Sequence, residues 1–234
     1  MSLWIKENCV SFFQLFCIKV IKTGRVPQHI AFIMDGNRRY AKKNSVDKST
    51  GHHKGFDKLS ETLKWCLDLG IPEVTVYAFS IENFKRSKEE VDALMELARE
   101  KFQNLLDEMS DEISRAASRI IDGVKENKIS PENIDEELIS QSLDLGEPEL
   151  LVRTSGEVRL SDFMLWQISN TVLYFTDVLW PEFTIWNLLA AIIHFQRNAP
   201  PIKAEDTNET AHEKKEFLKY LEQRRAQELT KYIS

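Results

Sequence analysis

His29-Ile-Ala-Phe-Ile-Met-Asp35-Gly36-Asn37-Arg38-Arg39-Tyr40-Ala41 is the stretch on which the reading of this chain turns. Five apolar residues, Ile30 to Met34, run straight into an acid, a glycine, an amide and two arginines. The apolar run predicts a short strand buried on both faces. The polar cluster falls where that strand ends and a helix begins, the edge at which open α/β sheets bind ligands. Free N–H groups at a helix start favour an anion. An arginine can fork onto a phosphate, and a carboxylate beside it suits Mg²⁺ that the anion shares. A metal–diphosphate site is one reading. A polar turn capped by Asp35 or Asn37 is the other, and the stretch alone does not separate them.

Two further stretches repeat the pattern. Glu73 to Phe79 is rich in β-formers and predicts a second strand, which ends in Ser80-Ile81-Glu82-Asn83-Phe84-Lys85-Arg86. Leu150 to Val152 predicts a third strand, which ends in Arg153-Thr154-Ser155-Gly156-Glu157-Val158-Arg159-Leu160-Ser161-Asp162-Phe163. In a parallel sheet these ends share one edge of the molecule. Three strand ends carrying amides, hydroxyls and arginines favour an anion site over surface turns.

Composition bounds the answer. The chain has 234 residues, 42% hydrophobic and 29% charged, as expected of a globular protein with a real core. A net charge of −6 argues against general nucleic-acid binding. Cys9, Cys17 and Cys66 are an odd number without metal-ligand spacing, which fits unpaired thiols in a reducing compartment. No stretch has the eighteen or so consecutive apolar residues of a spanning helix.

The rest of the chain falls into place around the three strand ends. Residues 3–21 predict a helix with Glu7, Ser11 and Gln14 on one side and a wide aromatic remainder. It either docks on its own domain or lies in a membrane interface. Lys42 to Thr50 predicts a loop or frayed helix end. Gly51-His52-His53-Lys54-Gly55 could let backbone approach a phosphate, although a solvated turn is the simpler reading. Residues 56–69 predict a helix that Gly70 and Pro72 stop. Ser87 and Glu90 form a capping box that opens one long helical period over residues 88–122. Ser130-Pro131 starts a short acidic helix reaching Ser142. Trp166 is expected to pack, residues 171–179 form a fourth strand, and residues 184–197 form a helix apolar nearly all round and therefore buried. Residues 203–229 read as a solvated helix or a partly disordered tail. The sequon at Asn208 is taken as chance. There is neither a P-loop nor a GxGxxG.

In order along the chain, HIAFIMDGNRRYA, GHHKG, YAFSIENFKR, RTSGEVRLSDF and DVLWPEF resemble the cis-prenyltransferases, the undecaprenyl and dehydrodolichyl diphosphate synthases. The DGNRRYA and RLSDF wording is most similar to the catalytic subunits of the eukaryotic branch. The resemblance implies an α/β fold, a parallel central sheet flanked by helices, here lacking some central strands. Its segments would be an amphipathic N-terminal helix over 1–26, a shortened catalytic domain over 27–199 and a charged helix or tail over 200–234.

It further implies that Asp35 coordinates Mg²⁺ on an allylic diphosphate, farnesyl diphosphate, and that Gly36, Asn37, Arg38 and Arg39 hold that diphosphate. His52 would act near the leaving diphosphate. Phe79, Ser80, Asn83 and Arg86 would lie beside the reacting groups, and Arg153, Arg159 and Ser161 would bind isopentenyl diphosphate. Asp35, Asn37, His52 and Asn83 are the implied catalytic residues. The implied product is a long polyprenyl diphosphate for dolichol synthesis and protein glycosylation, made at the cytosolic face of the endoplasmic reticulum by a peripheral enzyme. No Asp-Asp-x-x-Asp motif of the trans-prenyltransferases is present.

Three departures from the family matter. Tens of residues that members carry between the ENxxR and RTSGE stretches are missing, with the seam near Met109-Ser110, which would splice two helices into the long 88–122 period. The C-terminal Arg-x-Gly of single-subunit members is absent, which implies a non-catalytic partner of the Nogo-B receptor type. Val172 and Lys48 stand where bacterial members place a metal-binding glutamate and an arginine. The shortening keeps a second reading in view, an inactive form that only binds the partner subunit or prenyl diphosphates.

Overall fold

The computed structural model describes residues 11–77, 88, 112–201 and 209–233. The chain packs as two units, one from Met1–Leu106 and Glu147–Pro200, the other from Asp107–Gly146 and Pro201–Ser234. The expected segments 1–26, 27–199 and 200–234 divide the chain along its sequence; packing groups it differently.

In the first unit, β1 (His29–Ile33), β2 (Glu73–Tyr77), β3 (Leu150–Arg153) and β4 (Val172–Phe175) form a wholly parallel sheet in the order β2-β1-β3-β4. Ile33 pairs with Tyr77 on one side and with Arg153 on the other, and Arg153 pairs with Phe175. All four carboxyl ends therefore lie on one edge. β1 is buried along its whole length, as its apolar run requires of an inner strand. The period of two sends Ile30 and Phe32 to one face and Ala31 and Ile33 to the other.

The Phe32 face is covered by three helices: α1 (Phe12–Ile21) through Ile18 and Ile21, α3 (Lys48–Leu69) through Leu59, Cys66 and Leu69, and a helix over Ile185–Asn198 through Leu188, Ile192 and Phe195. Among the described residues, the Ala31 face is covered by Phe163, Met164 and Ile168. Trp166, expected to pack, is over a third exposed; its neighbours fill that face instead.

In the second unit, α4 (Glu112–Lys125), α5 (Glu136–Gln141) and a helix over Glu209–Ile233 build a small core of Ile120, Ile129, Leu138, Phe217 and Leu221. α6 is the helix Ile185–Asn198 and α7 the helix Glu209–Ile233.

Several expectations change here. The acidic helix expected from Ser130 to Ser142 is a tight turn, Pro131–Asn133, followed by α5, because Asp135 caps a new helix by accepting from the Leu138 N–H at 3.0 Å. The charged tail is a folded helix rather than a merely solvated one, since Phe217 and Leu221 are each buried. GHHKG lies inside α3 and is not a solvated turn; both of its glycines are buried. α6 is not buried all round, because Trp186 and Ile193 face outward. Most of the long helical period over 88–122, with its seam at Met109-Ser110, lies outside the described residues; the described part, α4, runs three residues past the expected end.

Candidate active site

The edge formed by the strand ends gathers the site. β1 ends at Ile33, and Asp35 follows at the turn into α2 (Asn37–Lys43). Gly36 caps α2 at φ 103°, where a side chain is strained. A Cβ there would also meet Leu179 Cδ2 and Ser155 Cβ, each at 3.0 Å.

The main chain of Asp35 is clamped from two sides. Its carbonyl accepts from Thr154 Oγ1 at 2.8 Å and from the Trp180 N–H at 3.0 Å. Its own N–H donates to Thr154 Oγ1 at 3.1 Å. Its carboxylate is left 37% exposed and faces two guanidiniums. Oδ2 lies 3.2 Å from Arg153 Nη2 and 3.4 Å from Arg39 Nη2, while Oδ1 accepts the Gly36 N–H at 2.6 Å.

Arg153 ends β3 and is 3% exposed. A guanidinium so buried must be compensated by partners. Besides Asp35, Arg153 Nη1 donates to the Arg159 carbonyl and, at 2.9 Å, to Ser161 Oγ. Its Nε has no hydrogen-bond partner. Arg39 donates to the Ser155 carbonyl at 2.7 Å and lies 3.4 Å from Glu157. Glu157 also pairs with the exposed guanidinium of Arg159. Three guanidiniums thus share two carboxylates, Asp35 and Glu157, at this edge. Such an arrangement is suited to a polyanion. Ser155 at φ 79°, Ser161 at φ 52° and Asp162 at φ 59° hold the left-handed conformation without being glycine, the kind of strain that collects at ligand clamps.

The predicted residues sort accordingly. Asp35, Gly36, Arg39, Arg153 and Ser161 are brought together. Arg159 joins through its carbonyl, while its guanidinium turns to Glu157. Asn37 opens α2 with its side chain against Gly55, and His52 lies on α3 between the two glycines that face α2. Arg38 is exposed on α2. Phe79, Ser80, Asn83 and Arg86 lie outside the described residues. Lys48 is exposed at the start of α3. Val172 is buried at the start of β4, paired with Leu150 and so at the strand end opposite Asp35. Thr154, Ser155, Glu157, Leu179 and Trp180 also build the site. The first three sit within the RTSGE stretch and the last two within DVLWPEF, but their polarity alone did not mark them.

Comparison with known proteins then decides the family. The sequence profile of the undecaprenyl diphosphate synthase family matches residues 33–111 and again residues 108–200. The chain belongs to this cis-prenyltransferase family. A dehydrodolichyl diphosphate synthase complex subunit of Homo sapiens is 46% identical over 248 residues, covering 83% of this chain and 74% of that protein. A tritrans,polycis-undecaprenyl-diphosphate synthase of Thermococcus kodakarensis is 38% identical over 237 residues, covering 79% and 90%. Among solved structures, lavandulyl diphosphate synthase from Lavandula x intermedia in complex with dimethylallyl diphosphate is 29% identical at a TM-score of 0.63, covering 73% of this chain and 95% of that one.

The human alignment spans 248 positions, whereas 83% of 234 residues is about 194, so about 54 aligned positions have no counterpart in this cis-prenyltransferase. The family profile resumes where residues 108–111 join, the same place as the seam expected near Met109-Ser110.

Proposed function

We propose that this chain is the catalytic subunit of a cis-prenyltransferase. It condenses isopentenyl diphosphate head-to-tail with an allylic diphosphate, farnesyl diphosphate in the first round. The product is a long polyprenyl diphosphate for dolichol synthesis and protein glycosylation. The observation that carries the reading is the convergence of Asp35, Arg39 and Arg153 on one sheet edge, with contacts of 3.2 and 3.4 Å.

The donor set suits Mg²⁺ held jointly with substrate. Mg²⁺ takes one or two carboxylates together with phosphate oxygens. Asp35 offers one partly exposed carboxylate, and among the described residues there is no all-protein cluster of three ligands. Bound at Asp35, the metal would neutralise charge on the allylic diphosphate. Arg39, with Asn37, Arg38 and the Gly36 turn, holds that diphosphate. Arg153, Arg159 and Ser161 hold that of isopentenyl diphosphate. The guanidiniums exchange Asp35 and Glu157 for phosphate oxygens and stabilise the negative charge that develops as the allylic carbon ionises. His52 serves the departing diphosphate, and Phe79, Ser80, Asn83 and Arg86 complete the surroundings of the reacting carbons. The non-catalytic alternative is not favoured, because a binding-only relative has no need to keep this assembly.

A hetero-oligomer with a non-catalytic subunit of the Nogo-B receptor type is supported by the human and mouse relatives, each named as a subunit of a dehydrodolichyl diphosphate synthase complex. Peripheral attachment at the cytosolic face of the endoplasmic reticulum is supported by α1, which docks through Ile18 and Ile21 yet leaves Phe12 88% and Phe16 56% exposed. Phe13 meets the exposed Trp186 of α6 at 5.9 Å, so two helices present one apolar face. Among the described residues, no helix is long and apolar enough to cross a membrane.

The test is co-expression with a partner subunit and labelled isopentenyl diphosphate. Long-chain product is expected. Arg153→Lys keeps the charge but loses the fork, and should lower turnover about 10²-fold. No product from a properly paired complex would sink the enzyme reading.

A further inference from the structure

The turn Trp180–Glu182 follows β4 and bonds to Asp35, to α2 and to α3. Leu179 lies against Gly36 at the start of α2, and Glu182 pairs with Lys43 at its end, at 2.7 Å. Trp180 does more. Its main-chain N–H donates to the Asp35 carbonyl at 3.0 Å, and its indole Nε1–H donates to the Gly55 carbonyl in the middle of α3 at 2.7 Å. Gly55 is also the residue on which Asn37 rests: a Cβ there would sit 2.3 Å from Asn37 Oδ1. Asn37 Oδ1 is buried and has no hydrogen-bond partner. Buried polar atoms are rarely left so, and an exception calls for a reason. Here α3 is pressed onto α2 closely enough to hold the amide in place without satisfying it.

We propose that Trp180 is a positioning residue: its indole N–H pins α3 against α2 and thereby fixes Asn37 at the diphosphate-binding turn, while its main-chain N–H fixes Asp35. The plain alternative is that Trp180 only fills the core. It is 1% exposed, stacks on Phe183 at 5.5 Å and tilts against Phe32 at 5.8 Å. Trp180→Phe separates the two, because it keeps an aromatic ring and removes the N–H. Phe195→Leu is the control. Phe195 is fully buried in the same core but sits on α6 and makes no polar side-chain bond to α2 or α3.

The kinetic arm rests on the cis-prenyltransferase reading; the other two arms do not. In the full chain, hydrogen exchange of the α2 amides and binding of inorganic pyrophosphate with Mg²⁺ are measured for wild type and both variants. Trp180→Phe should speed α2 exchange and weaken pyrophosphate binding, each about tenfold. It should lower kcat about 10²-fold and leave the KM for isopentenyl diphosphate within about twofold, the pattern of a misplaced reacting group. Phe195→Leu should lower the melting temperature comparably and move none of these. If Trp180→Phe differs from wild type only as Phe195→Leu does, the proposal is overturned. If wild type makes no product, the exchange and pyrophosphate results still decide it, so that failure stays distinct from a failure of the enzyme reading.

Discussion

Arg153 and His29 are both nearly inaccessible polar residues of the central sheet, and burial acts on them in opposite ways. Around Arg153, Asp35, Ser161 and the Arg159 carbonyl replace the water that burial removes. His29, at the far end of β1, has its ring Nε2 hydrogen-bonded with Thr75 Oγ1 at 2.8 Å and a carboxylate, Glu73, at 3.7 Å from Nδ1. Burial pulls its pKa below 6.5, and the attraction of Glu73 only partly offsets this. A base whose pKa is lowered on folding binds fewer protons folded than unfolded, so stability rises with pH. The contribution is whole above about 6.5 and is lost as pH falls towards the folded value. Thermal unfolding followed from pH 7.5 to 5.5 should show a falling melting temperature, and His29→Gln should flatten that part of the slope. Cys66 shows the same burial without chemistry: its thiol is pushed up to about 12, so it is inert.

At the scale of elements, the contact between α2 and α3 is the one most easily misread from the chain. Gly-His-His-Lys-Gly has the look of a turn because glycine is a weak helix former. The helix tolerates Gly51 and Gly55 because their missing side chains let Asn37 and Ala41 come close. Gly55→Ala sets two effects against each other. Alanine recovers about 1 kcal/mol of helix propensity, but a methyl 2.3 Å from Asn37 Oδ1 and 2.9 Å from its Cγ overpacks the contact at about 1–3 kcal/mol. The clash should win. Urea denaturation should show stability unchanged or lower by up to about 2 kcal/mol, with pyrophosphate affinity reduced as Asn37 is displaced. A gain of about 1 kcal/mol with unchanged affinity would mean that the close approach is unimportant. α7 teaches a related lesson. Its charged sequence hid two buried apolar residues, Phe217 and Leu221, and an acid with a structural job: Glu213 accepts from the Ser130 N–H at 2.8 Å and from Ser130 Oγ at 3.0 Å.

For the molecule as a whole, the feature to test is the exposed apolar face of α1 and α6, where Phe13 meets Trp186. Residues 11–25 carry Lys19, Lys22 and Arg25 and no acid, and α6 carries Arg197 and no acid, in a chain of net charge −6. Exposed aromatic side chains on a segment that carries bases and no acid suit an anionic lipid surface. The chain should sediment with vesicles containing phosphatidylserine more than with neutral ones, and added salt should release it. Phe12→Ser with Phe16→Ser should weaken binding about tenfold without changing the melting temperature, since both residues lie outside the core. Binding that ignores both salt and this double substitution would remove the face from consideration.

The sequence by itself determined the parallel α/β sheet, the ends of β1 and β3 that meet at one edge, and the internal shortening. Each of these is written in local apolar runs, in motif spacing or in a missing stretch. Its Asp35, Arg39 and Arg153 were singled out because the same chemistry recurred after more than one predicted strand and matched the family's motifs. What only the tertiary structure decided is which groups meet. Asp35 sits between Arg39 and Arg153 because the β1–β3 register sets Arg153 beside Ile33, two residues before Asp35. Glu157 pairs with Arg159, and Trp180 bonds to both Asp35 and Gly55, the latter 125 positions away. Such contacts depend on how strands and helices stack. No local period records that stacking, so an indole donor in a Trp-Pro-Glu turn looks like core filling until its acceptor is seen.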